Sequence, residues 1–496
     1  MLRQRDQELD KAELRVVYTQ ELGNLAEAMR GFQSVIDFLE ICEARPLVDP
    51  SKRLPMELMS CIFGYAASEM RPSFIAQVSR GWRQIALNTP TMWTTLAGGK
   101  WGTMAEFQEL SFCMERSKAL PLTIKTVYFP PELSVDDEEG SSDSSQGESE
   151  EGDGSDEETE IVQSTTAKSA LKLPTRKKPT LDIIIPHAFR LRSLTIEIDW
   201  DGRSIMESWF EAHPAISTPN LEELFFEDSE IDHESTPIPI PWSFRDALML
   251  RTLDMGLFEF DLGAVGEQLV DLRCMMEDSG FGMLGLCPRL QRLSLNLIQT
   301  SFTAEREPIE LRFLVDLKLR CVDWDVPVQL FICVHMPLVE TLTLEPDLNS
   351  DREPHSFGAI PPTILPKLRQ ISVRVENFID NEEVEDLESE LSTLLRRFPA
   401  ITQFKIDGSH NNLFSVRMLG HLASADLFPH LECLELSNCG GLKWGAVHRM
   451  LRMRGNRAGE GVKTIRRFRM SKCETTSSLW EMSVAKHLVE EFDWLP

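Results

Sequence analysis

From Leu191 onward one arrangement of apolar positions keeps returning: apolar-x-x-apolar-x-apolar. It reads as "RLRSLTI", "NLEELFF", "MLRTLDM", "RLQRLSL", "FLVDLKL", "LVETLTL", "KLRQISV", "AITQFKI", "HLECLEL" and "TIRRFRM". The first apolar positions are Leu191, Leu221, Leu250, Leu290, Leu314, Val339, Leu368, Ile401, Leu431 and Ile465, and a fainter copy, "QLVDLRC", starts at Leu269. With that copy included the spacing runs from 19 to 34 residues. The last two apolar residues of each copy are two apart, the period of a strand, so both face one core. A unit this small cannot bury that face alone and has to stack on its neighbours. Pro219, Pro288, Pro337, Pro366, Pro399 and Pro429 each stand two residues ahead of a copy. Helical patterns lie between the strands, as in "VEDLESELSTLLRRF" with Leu387, Leu391, Leu394 and Phe398. The expectation is an α/β array of stacked units; unrelated strands of an ordinary α/β domain are the alternative.

The first half of the chain has a different pattern. Tyr18, Leu22, Leu25, Met29, Phe32, Ile36 and Leu39 make a heptad seam within one long helix, and residues 1–45 form that segment. Two to three heptads suit an amphipathic helix packed on its own domain; a dimerising or coiled-coil partner helix is the sharper alternative. "RPLVDPSKRLP" ends it. Residues 46–98 then form a helical segment in which Leu54 to Trp93 read as helix, break, helix, the break being "MRPS". The opening stretch, "RLPMELMSCIFGYAA", predicts a short helix with Leu58, Ile62 and Phe63 on one side, closing at Gly64.

Residues 132–160 hold fourteen acids and no Lys or Arg, half of the net charge of −28. The run "DDEEGSSDSSQGESEEGDGSDEETE" has no aromatics and almost no aliphatics, so it cannot bury enough surface to offset chain entropy, and residues 131–180 are expected to be disordered. "LPLTIKTVYF" before them and "LDIIIPHAFRLRSLTIEI" after them both read as structured, which makes the acidic run an insertion between neighbouring units. Residues 99–130 would start the repeat array and residues 181–496 would complete it. Ser145 and Ser155 each have an acid three residues on, as an acidophilic kinase requires, although any Ser-rich acidic tract produces such sites.

Outside that run the chain is only mildly acidic, so neither nucleic acid nor a membrane is expected as a partner. No stretch approaches the roughly 20 apolar residues of a membrane span. The N-terminus lacks an apolar signal core, and ten cysteines without a C-x-x-C pair fit a reducing compartment, cytosol or nucleus. No metal, cofactor or catalytic constellation is expected, so the chain reads as non-enzymatic. "GFGMLG", Gly280 to Gly285, satisfies G-x-G-x-x-G. A dinucleotide site needs a helix N-terminus after it, and Pro288 and the next strand follow too soon for a helix. Asp323 and Asp325 in "VDWD" read as exposed acids around a core Trp rather than a general acid and base.

The repeats resemble leucine-rich repeats. Cys439 and Cys473, each eight residues after the first apolar position of its copy, are similar to the Cys of that family's longer form. Upstream, "LPMELMSCIF" and "VSRGWRQIALNTPTMW" together resemble the F-box: Leu54, Pro55, Glu57, Ile62, Phe63, Val78, Trp82, Ile85, Pro90 and Trp93 match it. A heptad helix, an F-box and irregular leucine-rich repeats in that order are similar to the F-box families of mushroom-forming fungi. The resemblance implies a three-helix unit that completes its core against the Skp-family adaptor of a cullin–RING ubiquitin ligase. Leu54, Pro55, Leu58, Ile62, Phe63, Val78 and Trp82 would be the adaptor-binding residues. Ser79 stands where that family usually has Cys, and Gly81 falls within the third helix. A helical cap on the array with no adaptor is the alternative.

In each repeat strand the residues flanking and between the last two apolar positions are expected on the open, concave face. They include Arg292, Ser294 and Asn296; Asp316, Lys318 and Arg320; Gln403, Lys405 and Asp407; and Arg467, Arg469 and Ser471. Of these, Arg292, Lys318, Arg320, Lys405, Arg467 and Arg469 are the candidate contacts to an unknown protein substrate. The C-terminal copy is basic, and Arg449, Arg452, Arg454 and Arg457 add to it. That end is a candidate for binding an acidic or phosphorylated ligand through Arg forks, with the protein's own acidic run as a competitor. Ordinary solvated charge is the plainer reading.

Overall fold

The structure is a computed structural model. It describes residues 54–96, 104–129, 183–198, 208–209, 211–213, 216–228, 238–239, 244, 246–256, 258–259, 261–276, 281–297, 308–321, 330–346, 362–375, 389, 391–408, 416–423, 427–439, 442–458, 461–473 and 486–495. The heptad seam, the acidic run with Ser145 and Ser155, Leu387, and the Asp323/Asp325 pair lie outside the described residues.

Three helices open the described chain: α1 (Met56–Glu69), α2 (Pro72–Gln77) and α3 (Arg80–Leu87), followed by a 3-10 turn at Pro90–Trp93. Contrary to the expected stop, α1 runs through Gly64 to Glu69. A glycine inside a helix costs on the order of 1 kcal/mol against Ala, but the extra turn buries Ala67. Pro72 at the start of α2 then ends the run, as "MRPS" predicts. Phe63, Met59, Ile75, Ile85, Ala86, Met92 and Trp93 fill the interior of this unit. Trp93 Nε1 donates to the Ala86 carbonyl at 2.8 Å, and Thr89 Oγ1 donates to the Ile85 carbonyl at 2.8 Å.

Fourteen strands then form one sheet: β1 (Thr95–Leu96), β2 (Leu122–Phe129), β3 (Leu191–Ile198), β4 (Glu223–Asp228), β6 (Thr252–Asp254), β8 (Asp271–Met276), β9 (Arg292–Leu297), β11 (Asp316–Cys321), β13 (Thr341–Pro346), β14 (Gln370–Arg374), β15 (Gln403–Asp407), β16 (Cys433–Ser437), β17 (Arg467–Ser471) and β18 (Glu491–Leu495). Their order in the sheet is their order in the chain, and every pairing is parallel. Two short parallel pairs stand apart, β5 (Ile238–Pro239) with β7 (Phe258–Glu259) and β10 (Ile309–Glu310) with β12 (Val334–His335). Further helices are α4 (Met104–Arg116), α5 (Phe281–Leu284), α6 (Val416–Ala423) and α7 (Trp444–Asn456), together with helical residues 391–397. The result is a solenoid of parallel strands, α/β in class.

The register shows why the apolar phrase builds this sheet. Leu224, Leu253, Leu272, Leu293, Leu317, Leu342, Ile371, Phe404, Leu434, Phe468 and Phe492 are partners from strand to strand. All but Phe492 at the end of the row are buried. The residue three earlier, the first apolar position of each copy, is buried as well. The prolines also find their reason. The N–H of Leu221, Leu368 and Leu431 donates to the carbonyl three residues back, Thr218, Leu365 and Phe428, at 3.1, 3.2 and 3.1 Å. Pro219, Pro366 and Pro429 therefore occupy the second position of a β-turn, where a fixed φ near −65° fits.

The sheet begins at β1, inside the segment read as purely helical, and Thr123 N–H donates to the Thr94 carbonyl at 2.8 Å. β2 pairs with β3 although residues 130–190 separate them in sequence. Arg190, buried against this join, donates to the Leu120 carbonyl at 2.9 Å and to Ser117 Oγ at 2.7 Å. "GFGMLG" does contain a helix, the single turn α5, against expectation. Phe281 and Leu284 are buried there, so apolar burial drives the turn before Pro288.

Candidate binding surfaces

α1 is apolar on two sides. Met59, Phe63 and Ala67 face inward, while Leu54, Leu58, Ile62 and Tyr65, spaced at four, four and three, stay 38, 52, 48 and 77% exposed. A helix apolar all round is normally buried; here the second stripe is open to solvent. Phe74 and Val78, four apart at α2, are exposed too. Of the seven expected adaptor contacts, Leu54, Pro55, Leu58, Ile62 and Val78 are on the surface. Phe63 is not: it is 1% exposed and belongs to the interior, because its position on α1 points at α3. Trp82 is half-buried, its ring 4.9 Å from that of Phe63. Ser79 is the N-cap of α3, its Oγ accepting from Trp82 N–H at 3.1 Å. The side chain that departs from the F-box pattern thus holds the helix carrying Trp82.

The solvent face of the sheet carries the expected outward residues, but cross-strand pairing neutralises most of its cations. Arg292 Nε donates to Asp271 at 2.7 Å. Lys318 lies 2.8 Å from Glu345, which also lies 3.7 Å from Arg374. Lys405 pairs with Glu435 at 3.0 Å. Such pairs follow from the register: parallel partners stand about 4.8 Å apart, within reach of long side chains. At the C-terminal ends of β4 to β13 a hollow of ≈ 250 Å³ collects Asp254, Arg273, Asn296, Lys318, Arg320 and Glu345. Burial raises the Asp254 carboxyl above its ordinary range, opposed by Arg273 at 2.8 Å and by the Gly256 N–H at 3.2 Å.

The basic C-terminal end changes most. Arg467 pairs with Glu491 at 2.7 Å and Arg469 with Asp493 at 3.0 Å. Those acids sit on β18, whose phrase, Val489-x-x-Phe492-x-Trp494, was missed because aromatics replace Leu. Arg454 is not part of a surface patch either. It is fully buried on α7 and donates to the carbonyls of Leu422 (2.7 Å), Phe428 (2.7 Å), Lys463 (3.1 Å) and Leu431 (3.5 Å). Burial pulls its guanidinium down to about 10, still charged at neutral pH. A helical Arg in a basic run gives no sequence signal of this inward role. Cys439 and Cys473 are buried, with thiols toward the Ser437 and Ser471 carbonyls at 3.2 and 3.3 Å.

Among the described residues no group of His, Cys, Asp or Glu is placed to hold a metal ion, and no helix is long and apolar enough to cross a membrane. No family model and no curated protein matches the chain. Among solved structures, a protein from Bacteroides fragilis aligns over 62% of this chain and 66% of its own, at 13% identity and a TM-score of 0.27. The mouse RP105/MD-1 complex aligns over 57% of this chain and 47% of its own, at 13% identity and a TM-score of 0.31. The chain thus spans just under two thirds and about half of the length of these two. Strand order and register define the class: a parallel-stranded repeat solenoid with a helical unit at its N-terminal end.

Proposed function

We propose that this chain is a non-enzymatic substrate receptor. Its helical unit would engage a Skp-family adaptor of a cullin–RING ubiquitin ligase, and its solenoid would present target proteins. One observation carries the reading: Leu54, Leu58, Ile62 and Val78 are exposed at positions where the F-box resemblance puts the adaptor interface. A row of exposed large apolar side chains marks a surface that a partner covers. Ser79, as N-cap of α3, supports the unit without the family's usual Cys.

A second reading, an interaction scaffold whose helices only cap the array, is favoured by the join to the sheet. β1 follows the 3-10 turn directly, and Trp93 meets Phe112 of α4 edge-on at 5.2 Å. A cap needs the inward face of α1 and gives no reason for the outward one.

Titration of the purified chain with a Skp-family adaptor separates the two. Wild type should bind at submicromolar Kd, and Leu58→Asp/Ile62→Asp should abolish binding while its melting curve is unchanged. A folded wild type that does not bind refutes the ubiquitin reading and leaves the scaffold.

A further inference from the structure

The N-terminal rim of the sheet holds a second apolar surface, far in sequence from α1. Each first apolar position has a turn residue before it and a rim residue after it. The rim residues form a backbone ladder of their own. Arg251 N–H donates to the Glu222 carbonyl, Val270 to Arg251, Gln291 to Val270 and Val315 to Gln291, at 2.8, 2.8, 2.8 and 2.9 Å. These side chains therefore sit on consecutive rungs about 4.8 Å apart.

On most rungs both positions are polar, with Glu222, Arg369, Thr402, Glu432 and Arg466 at the rim and Asn220, Lys367 and His430 in the turns. Across the four rungs from β6 to β11 the pattern changes. Leu248 and Met249 fill one turn, Phe313 fills another, and Val270 and Val315 take rim positions. Leu248, Met249, Phe313 and Val315 are 65, 45, 54 and 40% exposed. The turn itself does not require them, since the rungs of β4, β14 and β16 carry Asn220, Lys367 and His430 in the same place, and the apolar Leu338 in the β13 turn is half-buried rather than exposed. The groove that Leu248, Met249 and Phe313 share with Val270 measures ≈ 550 Å³. Arg251 and Arg289 also line it, and among the described residues neither makes an ion pair. This contrasts with the sheet face, where register pairs the cations with acids.

We infer that this rim groove docks a short peptide segment of a partner protein, one carrying a large apolar side chain beside Asp or Glu. The apolar wall takes the anchor, and the two unpaired guanidiniums take the carboxylates. A second copy of the chain fits poorly: a two-fold contact sets like against like, facing cationic groove to cationic groove. The inference rests on reading the solenoid as the target-presenting part, and it names the surface and the chemistry of the target.

The test pans a random 12-residue phage-displayed peptide library on the full chain, then measures labelled winners by fluorescence anisotropy. Enriched peptides should carry Phe, Leu or Trp next to Asp or Glu. Phe313→Asp and Arg251→Glu/Arg289→Glu should each weaken binding at least about tenfold, the scale of losing one anchor. Ile332→Asp, at an exposed apolar residue elsewhere, should bind within about twofold of wild type, and matching melting curves guard against misfolding. No enrichment, enrichment of basic peptides, or binding indifferent to both rim variants overturns the inference. Concentration-dependent dimers in sedimentation that Phe313→Asp dissolves would give the groove to a second copy and overturn it too. The adaptor titration runs in parallel on Phe313→Asp. Adaptor binding absent from wild type sinks the ubiquitin reading while leaving peptide docking to stand, and unchanged adaptor binding with lost peptide binding places the two functions on separate surfaces.

Discussion

Replacing Arg454 by Met tests whether a buried cation can be the fastener between two repeats. The side chain leaves α7 and reaches carbonyls on both sides of the turn before β16, and the Lys463 carbonyl before β17. Three of its bonds, at 2.7, 2.7 and 3.1 Å, have good geometry, and the fourth, at 3.5 Å, is marginal. A hydrogen bond from a charged donor contributes about 1.5–3 kcal/mol, and a buried carbonyl left without a donor costs about 1–3 kcal/mol. Against this, Met removes the expense of holding a guanidinium out of water, the same effect that lowers its pKa. The net expectation is a loss on the order of 2–4 kcal/mol, set mainly by the Leu422 and Lys463 carbonyls left without this donor, since the Phe428 carbonyl keeps the Leu431 N–H. Arg454→Lys should recover only part of it, because one ammonium cannot span carbonyls that the planar fork reaches together. Urea denaturation followed by circular dichroism and by Trp fluorescence measures it, with Trp444 on α7 as local reporter. In so long an array the two probes should separate, the local one moving first. Stability within about 1 kcal/mol of wild type for Arg454→Met would refute the reasoning, since the carbonyls would then have found water or had no need of the donor.

Further outcomes follow from the same contacts. Ser79→Ala should cost about 1 kcal/mol through loss of the α3 N-cap, read by thermal denaturation, and restoration by Ser79→Asp would identify capping as the cause. Asp254→Asn should raise stability at neutral pH. Burial lifts the folded-state pKa of Asp254, so its ionisation disfavours the folded chain and wild-type stability falls as pH rises through that pKa. The advantage of Asn should vanish as pH falls below the unfolded value of 3.8; a less stable Asp254→Asn at pH 7 would show that the bond to Arg273 outweighs burial. Glu491→Gln/Asp493→Asn should change stability by under about 1 kcal/mol, since its ion pairs are exposed, yet should raise the salt needed to elute the protein from heparin by freeing Arg467 and Arg469. Unchanged elution would argue that those cations were available already.

Much of the architecture was readable beforehand because the strand period and the need to stack are local properties. Eleven copies of an apolar phrase place eleven strands, and the proline before a copy states its turn. The inner half of the helical unit was legible for a similar reason, yet sequence left Phe63 and Ile62 equivalent. Adjacent apolar residues on a helix lie about 100° apart, and only the position of α3 decides which is covered. β18 was hidden for another reason, the aromatics that replace Leu in its phrase, and the single turn α5 by the closeness of Pro288.

The sequence by itself determined a repeat of strands with apolar residues facing inward and charged residues facing out. It did so because side-chain alternation is fixed by the backbone within a few residues. Only the tertiary structure decided what those charges do. Parallel register set Arg467 against Glu491 and Lys405 against Glu435, at separations of 24 and 30 residues. It drew Arg454 inside while leaving Arg251 and Arg289 beside an apolar groove without an ion pair among the described residues. Pairing depends on which rung lies next to which, and that is a property of the folded stack rather than of any one stretch of chain.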